Sequence, residues 1–151
     1  MKRYKEPWEH RLIGGFFTGL WRLISWPFRR KKGKISPYGA TTVSREEVQQ
    51  RWQKIEELVK LQGESRFKQA VLDADNLLDL TIKSRGVRGE TMGERLKNAK
   101  DKFSPQIYDD LWQAHKLRNE IVHNANFQLV YWQANEALEK IQKGLKESGW
   151  L

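Results

Sequence analysis

Apolar residues recur with helical spacing along most of the chain beyond residue 44. Steps of three and four residues place them on one face of each segment, and no convincing strand pattern appears. Ser44 with Glu47, and Thr91 with Glu94, are capping-box signatures that mark two helix starts. The pattern predicts one helix that starts at residue 44 and four more over about residues 65–85, 91–100, 104–123 and 126–148.

The apolar stripe of each long helix predicts which side chains form the core. Short connections between amphipathic helices favour an all-α fold, an antiparallel bundle of four to five helices. Leu129 and Trp132 lie off the stripe of the last helix, and we expect them to be exposed, either as ordinary surface or as a dimer or partner contact. The predicted inward residues are Val48, Trp52, Ile55 and Val59 in the first helix, Phe67, Val71, Ala74, Leu78 and Ile82 in the second, and Phe127, Val130, Ala134, Leu138, Ile141 and Leu145 in the last.

A different pattern precedes the bundle. Residues 12–28 contain a single charge, Arg22, and as a helix they would span about 25 Å, less than the roughly 30 Å hydrocarbon core of a bilayer. The polar and small residues at positions 11, 15, 18, 22, 25 and 29 fall on one helical face, and large apolar residues occupy the rest. This is typical of an amphipathic helix that lies in the membrane interface. A short span or hairpin, a secretory signal, and a helix packed on protein are the alternatives.

Tryptophan prefers the lipid headgroup zone, and a polybasic run favours an anionic leaflet. The sequence therefore predicts a membrane-anchoring arm over residues 1–32, a linker over residues 33–43 and a helical bundle over residues 44–148, located at the cytoplasmic face of a membrane. The predicted membrane-binding residues are Trp8, Phe16, Phe17, Trp21, Trp26, Phe28, Arg29, Arg30, Lys31 and Lys32.

Charge divides the chain in the same way. The net charge of the 151 residues is +9, of which residues 1–36 carry +8, with ten basic and two acidic residues. The remainder, with eighteen basic and seventeen acidic residues, is nearly neutral. The chain has no cysteine, which excludes disulfides, thiolate metal sites and a cysteine nucleophile. Attraction to phosphates is therefore concentrated in the arm.

The candidate chemistry lies in the fourth predicted helix. Arg118 falls near the middle of its apolar face, where a guanidinium needs a carboxylate partner or a solvated cleft. His115, Asn119 and His123 follow one another beside it at four-residue spacing. A purely structural interpretation is also open, in which Asp75 neutralises Arg118, His115 bonds a backbone carbonyl and His123 caps the helix. Two histidines eight residues apart, without a third ligand nearby, make a poor metal site, and the sequence predicts neither metal nor cofactor.

These residues also carry a family resemblance. The segment Arg118-Asn119-x-x-x-His123, late in a helical bundle and followed by one more amphipathic helix, resembles the signature of the HEPN superfamily. The acidic stretch over residues 74–79 is similar to the acidic helix of that family. The resemblance covers roughly residues 44–148.

The resemblance implies a homodimeric, metal-independent endoribonuclease with one composite site. His123 would then be the general base or acid, Arg118 would hold the scissile phosphate, and Asn119 would orient substrate or histidine, with Asp75 and His115 in support. The products would carry 2′,3′-cyclic phosphate and 5′-hydroxyl ends. Such an enzyme would be of the toxin or defence type, with a cognate protein partner.

Many members of the superfamily are binding or scaffold modules without activity. Two hypotheses therefore stand: a membrane-tethered interaction module that binds RNA, a nucleotide or protein without cleaving anything, and a membrane-tethered endoribonuclease. The near-neutral body does not indicate strong RNA affinity.

Overall fold

Helices account for most of residues 42–151, the part of the chain that this computed structural model describes. No strand occurs among these residues, and the predicted all-α class is confirmed. The helices are α1 (Arg45–Lys60), α2 (Glu64–Ser84), α3 (Met92–Asn98), α4 (Pro105–His123) and α5 (Tyr131–Glu147), with a 3₁₀ turn (Lys100–Lys102) between α3 and α4.

Helix ends follow the local sequence signals. The Ser44 hydroxyl accepts a hydrogen bond from the Glu47 backbone N–H at 3.1 Å, and α1 starts at the next residue. The Thr91 hydroxyl accepts one from the Glu94 N–H at 3.2 Å, so both predicted caps are present. Gly86, with φ +74°, ends α2, because its left-handed conformation lets the chain turn away.

Helix α2 lies at the centre of the bundle and contacts α1, α3, α4 and α5. Contacts at helix ends give the directions. The Val43 N–H donates to the Ser84 hydroxyl at 3.2 Å, so α1 starts where α2 ends. The Ser104 N–H donates to the Glu147 carboxylate at 2.6 Å, so α4 starts where α5 ends. Each of these two helix pairs is therefore antiparallel.

The α4–α5 pair is unusually close because α5 presents a glycine to its partner. A Cβ atom added to Gly144 would lie 2.8 Å from Cδ2 of Leu111, which is nearer than side chains normally approach. Both residues are fully buried. The glycine thus fixes the separation of α4, the helix that carries the candidate motif, from α5.

One boundary prediction is wrong. Helix α5 begins at Tyr131 and not near residue 126, because residues 124–130 form a turn in which the Asn124 side chain accepts from the Asn126 N–H at 3.2 Å. Helical spacing does not hold across this turn. Leu129, expected to be exposed, is buried, and Val130, expected to face inward, is 46% exposed.

The predicted amphipathic arm, with all ten membrane-binding residues, and residues 33–41 of the predicted linker lie outside the described residues. Val43, placed at the end of the linker by the sequence, is buried in the core and bonded to Ser84, because the chain joins the bundle one residue before the cap of α1. Among the helices of residues 42–151, none has the length and apolar character needed to cross a bilayer.

Candidate functional site

The motif helix α4 begins with Pro105 at its first turn, where a missing N–H costs nothing. Its inner face buries Leu111 and Ala114 in the core. This anchoring leaves the C-terminal half of α4 with a fixed rotation, so that the next residues along the helix face α2. The candidate side chains are therefore positioned by the packing of α4 and not by a loop.

A buried polar cluster joins α4 to α2. Nδ1 of His115 lies 2.9 Å from Oδ1 of Asp75, at hydrogen-bond distance, and both side chains are almost fully buried. The second carboxylate oxygen of Asp75 lies 3.5 Å from Nε of Arg118, an ion pair at longer range. One buried carboxylate thus serves two side chains of the motif helix.

Arg118 reaches from this cluster towards the surface. Its Nε is buried and makes no hydrogen bond within residues 42–151, because the contact with Asp75 is too long for one. At the other end of the guanidinium, Nη1 donates to Oδ1 of Asn119 at 3.1 Å. The side chain is 29% exposed. The guanidinium is therefore paired with Asp75 on its buried side and partly open to solvent on the other.

His123 stands apart from the cluster. Helix α4 stays regular through this residue, which places His123 about 140° around the helix axis from Arg118. The ring is exposed and makes no hydrogen bond or ion pair within residues 42–151. The structure thus brings together Asp75, His115, Arg118 and Asn119, and leaves His123 outside this group.

Trp112 extends the cluster along α4. Its ring meets the His115 ring edge-on, with centroids 6.0 Å apart, and meets Tyr108 in the same manner at 6.3 Å. Edge-to-face contacts of this kind hold ring orientations. The contact with Trp112 therefore helps to hold the orientation of the His115 ring.

A second buried ion pair lies one helical turn along α2. Nε and Nη2 of Arg95 donate to the two carboxylate oxygens of Asp79 at 2.5 and 2.8 Å, and Nζ of Lys83 lies 2.8 Å from the same carboxylate. Burial alone would raise the pKa of Asp79, but the hydrogen bonds and charges of Arg95 and Lys83 outweigh it and hold this pKa below its usual value. Arg95 also donates to the Gly89 carbonyl at 2.5 Å. These contacts tie α3 and its preceding loop to α2 and make Asp79 a structural residue.

Exposed apolar side chains gather at the end of the bundle where α4 ends and α5 begins. We name this the junction surface and define it by Val122, Val130, Tyr131 and Trp132, which are between 46% and 64% exposed. Trp132 also borders a shallow groove between α4 and α5, about 250 Å³ in volume, together with Leu117. Apolar side chains this exposed, next to the motif, make the junction surface a candidate contact site.

The part of the chain that the structure describes holds no group of three metal-ligating side chains arranged for an ion. The chemistry available at the cluster is that of a guanidinium, an amide and an imidazole, which bind phosphates or carboxylates through hydrogen bonds and charge.

Sequence reasoning missed two features. Its purely structural interpretation paired Asp75 with Arg118 and His115 with a backbone carbonyl, whereas the shorter contact of Asp75 is with His115. It also missed the burial of Arg95. One signal in the sequence could have indicated this burial: Arg95 is next to Leu96 on the first turns of a short capped helix.

Comparison of the chain with protein-family models, with curated proteins and with solved structures finds no match. The HEPN resemblance therefore stays a prediction that rests on residues 118–123 and on the helical order around them.

Proposed function

We propose that the chain is a membrane-tethered, HEPN-like interaction module that binds without cleaving. The observation that carries this proposal is the pairing of His115 and Arg118 with one buried carboxylate of the same chain, Asp75. A motif arginine with a buried partner in its own bundle already has a structural role, because it compensates a charge that would otherwise be costly.

The position of His123 supports the same conclusion. A general base has to lie within hydrogen-bond reach of the proton that it removes, close to the phosphate that Arg118 would hold. A separation of about 140° around α4 directs the two side chains to different sides of the helix. Within one chain they do not converge on one phosphate, so cleavage would require a site shared between two chains.

We propose that the junction surface is the docking face of the module and that a second copy of the chain occupies it. A two-fold interface sets the same patch of both subunits against each other, so an apolar patch meets its own counterpart. The exposed Tyr131 and Trp132 supply the aromatic residues that concentrate at the centre of such interfaces.

The oligomeric state of the full chain tests this docking face. We expect sedimentation velocity to give a dimer, and Trp132→Glu to give a monomer because the substitution places a charge in an apolar contact. Gln53→Glu adds the same charge at an exposed position of α1 and should leave the dimer intact. A monomeric parent protein, or equal dimerisation of both variants, would contradict the proposed face.

We propose that residues 1–32 tether this module to the anionic, cytoplasmic face of a membrane, on the strength of their charge and amphipathic pattern. Flotation with anionic liposomes tests the tether. The full chain should float, and the chain that lacks residues 1–32 should stay at the bottom of the gradient with an unchanged helical signal in circular dichroism. Flotation of both forms would contradict the tether.

A metal-independent endoribonuclease is the second candidate function. The observation that favours it is the exposed His123 ring together with the partly open Arg118 guanidinium, which is bonded to Asn119. In a dimer, the histidine of one chain could approach the arginine of the other. The cleavage assay that separates the two candidates closes the Discussion.

A further inference from the structure

Positive charge is not spread evenly over the nearly neutral bundle. Residues 83–102 contain seven Lys/Arg against three Asp/Glu, a net charge of +4, while residues 42–151 as a whole carry +1. The remainder of the bundle is therefore net negative. The excess falls on the end of α2, on α3 and on the 3₁₀ turn, a region that the proposed function does not use.

Ion pairing removes only part of this charge. Lys83 and Arg95 are bound to Asp79, and Arg85 donates to the Ser148 carbonyl and lies 5.6 Å above the Trp150 ring. Four cations remain that are exposed and form no ion pair within residues 42–151. We name them the basic surface: Arg88, Lys97, Lys100 and Lys102.

Backbone contacts hold the basic surface at one end of the bundle. The Arg88 carbonyl accepts a hydrogen bond from the Asn98 side chain at 2.8 Å, which places Arg88 beside the end of α3. Lys102 and Arg85 border the same small cavity, so the 3₁₀ turn lies against the end of α2. The four cations therefore belong to one region with a fixed backbone.

The described chain starts in this same region. Val43 bonds to Ser84, the last residue of α2. The basic run over residues 29–34 precedes Val43 by only nine residues, which extend over at most about 30 Å. Only a short stretch of sequence therefore separates the basic run of the arm from the first residue that bonds to the end of α2.

From these observations we propose that the basic surface is a second membrane contact, which binds the anionic headgroups of the bilayer to which the arm attaches. The inference rests on the tether of the proposed function and adds an orientation to it. Each Lys or Arg near an anionic bilayer adds to binding, so four cations strengthen the hold of the arm and align the bundle.

A lipid surface fits this region better than single-stranded RNA. Unstructured RNA is usually bound through aromatic side chains on which bases stack, and residues 83–102 contain none. Phe103, which follows Lys102, is half-buried and packs against the core. The Trp150 ring nearby is covered by Arg85. Bilayer headgroups require only exposed cations on a fixed backbone.

The proposed orientation leaves the junction surface free. The Glu64 carboxylate accepts from the Leu129 N–H at 3.4 Å, and the Phe67 ring lies 5.5 Å from that of Tyr131, so α2 starts at the junction end of the bundle. Its 21 residues extend about 30 Å to the basic surface at the other end. A bundle held at its basic surface therefore turns the junction surface away from the bilayer, where a second copy can bind.

Cosedimentation of the full chain with vesicles tests this contact. Phosphatidylcholine vesicles with phosphatidylserine are compared with pure phosphatidylcholine at low and at physiological salt. Two variants lose four charges each, at exposed positions without ion pairs in the described residues. The test variant combines Arg88→Gln, Lys97→Gln, Lys100→Gln and Lys102→Gln. The matched control combines Lys54→Gln, Lys60→Gln, Lys116→Gln and Lys143→Gln.

We expect the test variant to lose about tenfold or more in partition onto the anionic vesicles, and the control to lose about threefold or less, because only the first set faces the bilayer. The double variant Lys97→Gln/Lys100→Gln should give an intermediate loss, which keeps the test valid if the fourfold variant melts early. Added salt should reduce the difference between the two variants.

Four results would overturn the inference. An equal loss in both variants would show that only total charge matters, and no loss in either would show that the arm binds alone. If the test variant lost binding to a single-stranded RNA oligonucleotide but kept its binding to vesicles, the basic surface would be assigned to nucleic acid. A parent protein that ignores anionic vesicles would overturn the tether as well, whereas the dimer assay at Trp132 is independent of all these outcomes.

Discussion

Asp75 and His115 lie forty residues apart in the sequence, yet the Asp75 carboxylate and the His115 ring are 2.9 Å apart inside the bundle. This contact joins the central helix α2 to the motif helix α4. Because the same carboxylate also faces Arg118, at 3.5 Å, the candidate motif is connected to the core through one residue. The stability of the bundle and the position of the motif residues are therefore coupled at Asp75.

Removal of the Asp75 carboxylate should destabilise the folded bundle. We expect Asp75→Ala to lower the free energy of unfolding by about 3–5 kcal/mol, because it leaves the Arg118 charge without its partner and a buried imidazole unbonded. Arg118→Ala should cost less, about 1–3 kcal/mol, since Asp75 keeps its contact with His115 and the arginine side chain is partly exposed. Urea denaturation of the two variants and the parent measures both values.

His123→Ala is the control for this pair of variants. The ring is exposed and has no partner in residues 42–151, so its loss should change the free energy of unfolding by about 0.5 kcal/mol or less. A larger effect of His123→Ala than of Asp75→Ala would contradict the role given to the buried cluster.

Acid should weaken the bundle partly through Asp79. The pKa of Asp79 is lowered in the folded state, so its contribution to stability is fully present above the unfolded-state pKa, about 3.9, and is lost as the pH falls through the lower folded pKa. We expect Asp79→Asn to flatten the dependence of the unfolding free energy on pH below about pH 4. The measurement is urea denaturation in steps from about pH 6 to about pH 2.5.

The same substitution should also cost about 3 kcal/mol near neutral pH, because it breaks a buried ion pair and leaves the Arg95 guanidinium without its carboxylate. Lys83→Gln is a milder control, since Lys83 is much more exposed than Arg95. If Asp79→Asn left the pH dependence of the unfolding free energy below about pH 4 unchanged, other carboxylates would control acid unfolding.

The close approach of α4 and α5 makes a further prediction at Gly144. Alanine there gains about 1 kcal/mol of helix propensity but forces Leu111 to move in a filled core, at a cost of about 1–3 kcal/mol. We expect a net loss of about 1 kcal/mol, which Leu111→Val should partly restore by making room. A double-mutant cycle in urea measures the coupling, and additive effects would contradict the contact.

Helical spacing and capping residues were enough to predict the all-α class and four of the five helix starts to within one residue. Ser44 and Thr91 act locally, since each bonds an N–H three residues ahead, and a local signal can be read from sequence. The start of α5 could not be read in this way. Residues 124–130 are held by a turn at Asn124 and by Glu64, which lies 65 residues away from its partner Leu129.

The candidate site divides in the same manner. The position of Arg118 on the inward face of its helix was predictable from the rotation of 100° per residue. Asp75 was recognised as a possible partner of Arg118. The closer contact of Asp75 with His115 depends on how α2 and α4 are rotated against each other, which no local pattern determines. The burial of Arg95 against Asp79 likewise depends on the path of the loop before α3.

Incubation of the purified full chain with an unstructured RNA oligonucleotide, in the presence of chelator, tests most directly the central claim that this module does not cleave RNA. Sedimentation on the same sample establishes its oligomeric state, and His123→Ala serves as the matched variant. The account predicts intact RNA with both proteins. Cleavage to 2′,3′-cyclic phosphate ends by the parent protein, absent in His123→Ala at unchanged melting temperature, would contradict it and assign the Arg118 and His123 pair to a ribonuclease.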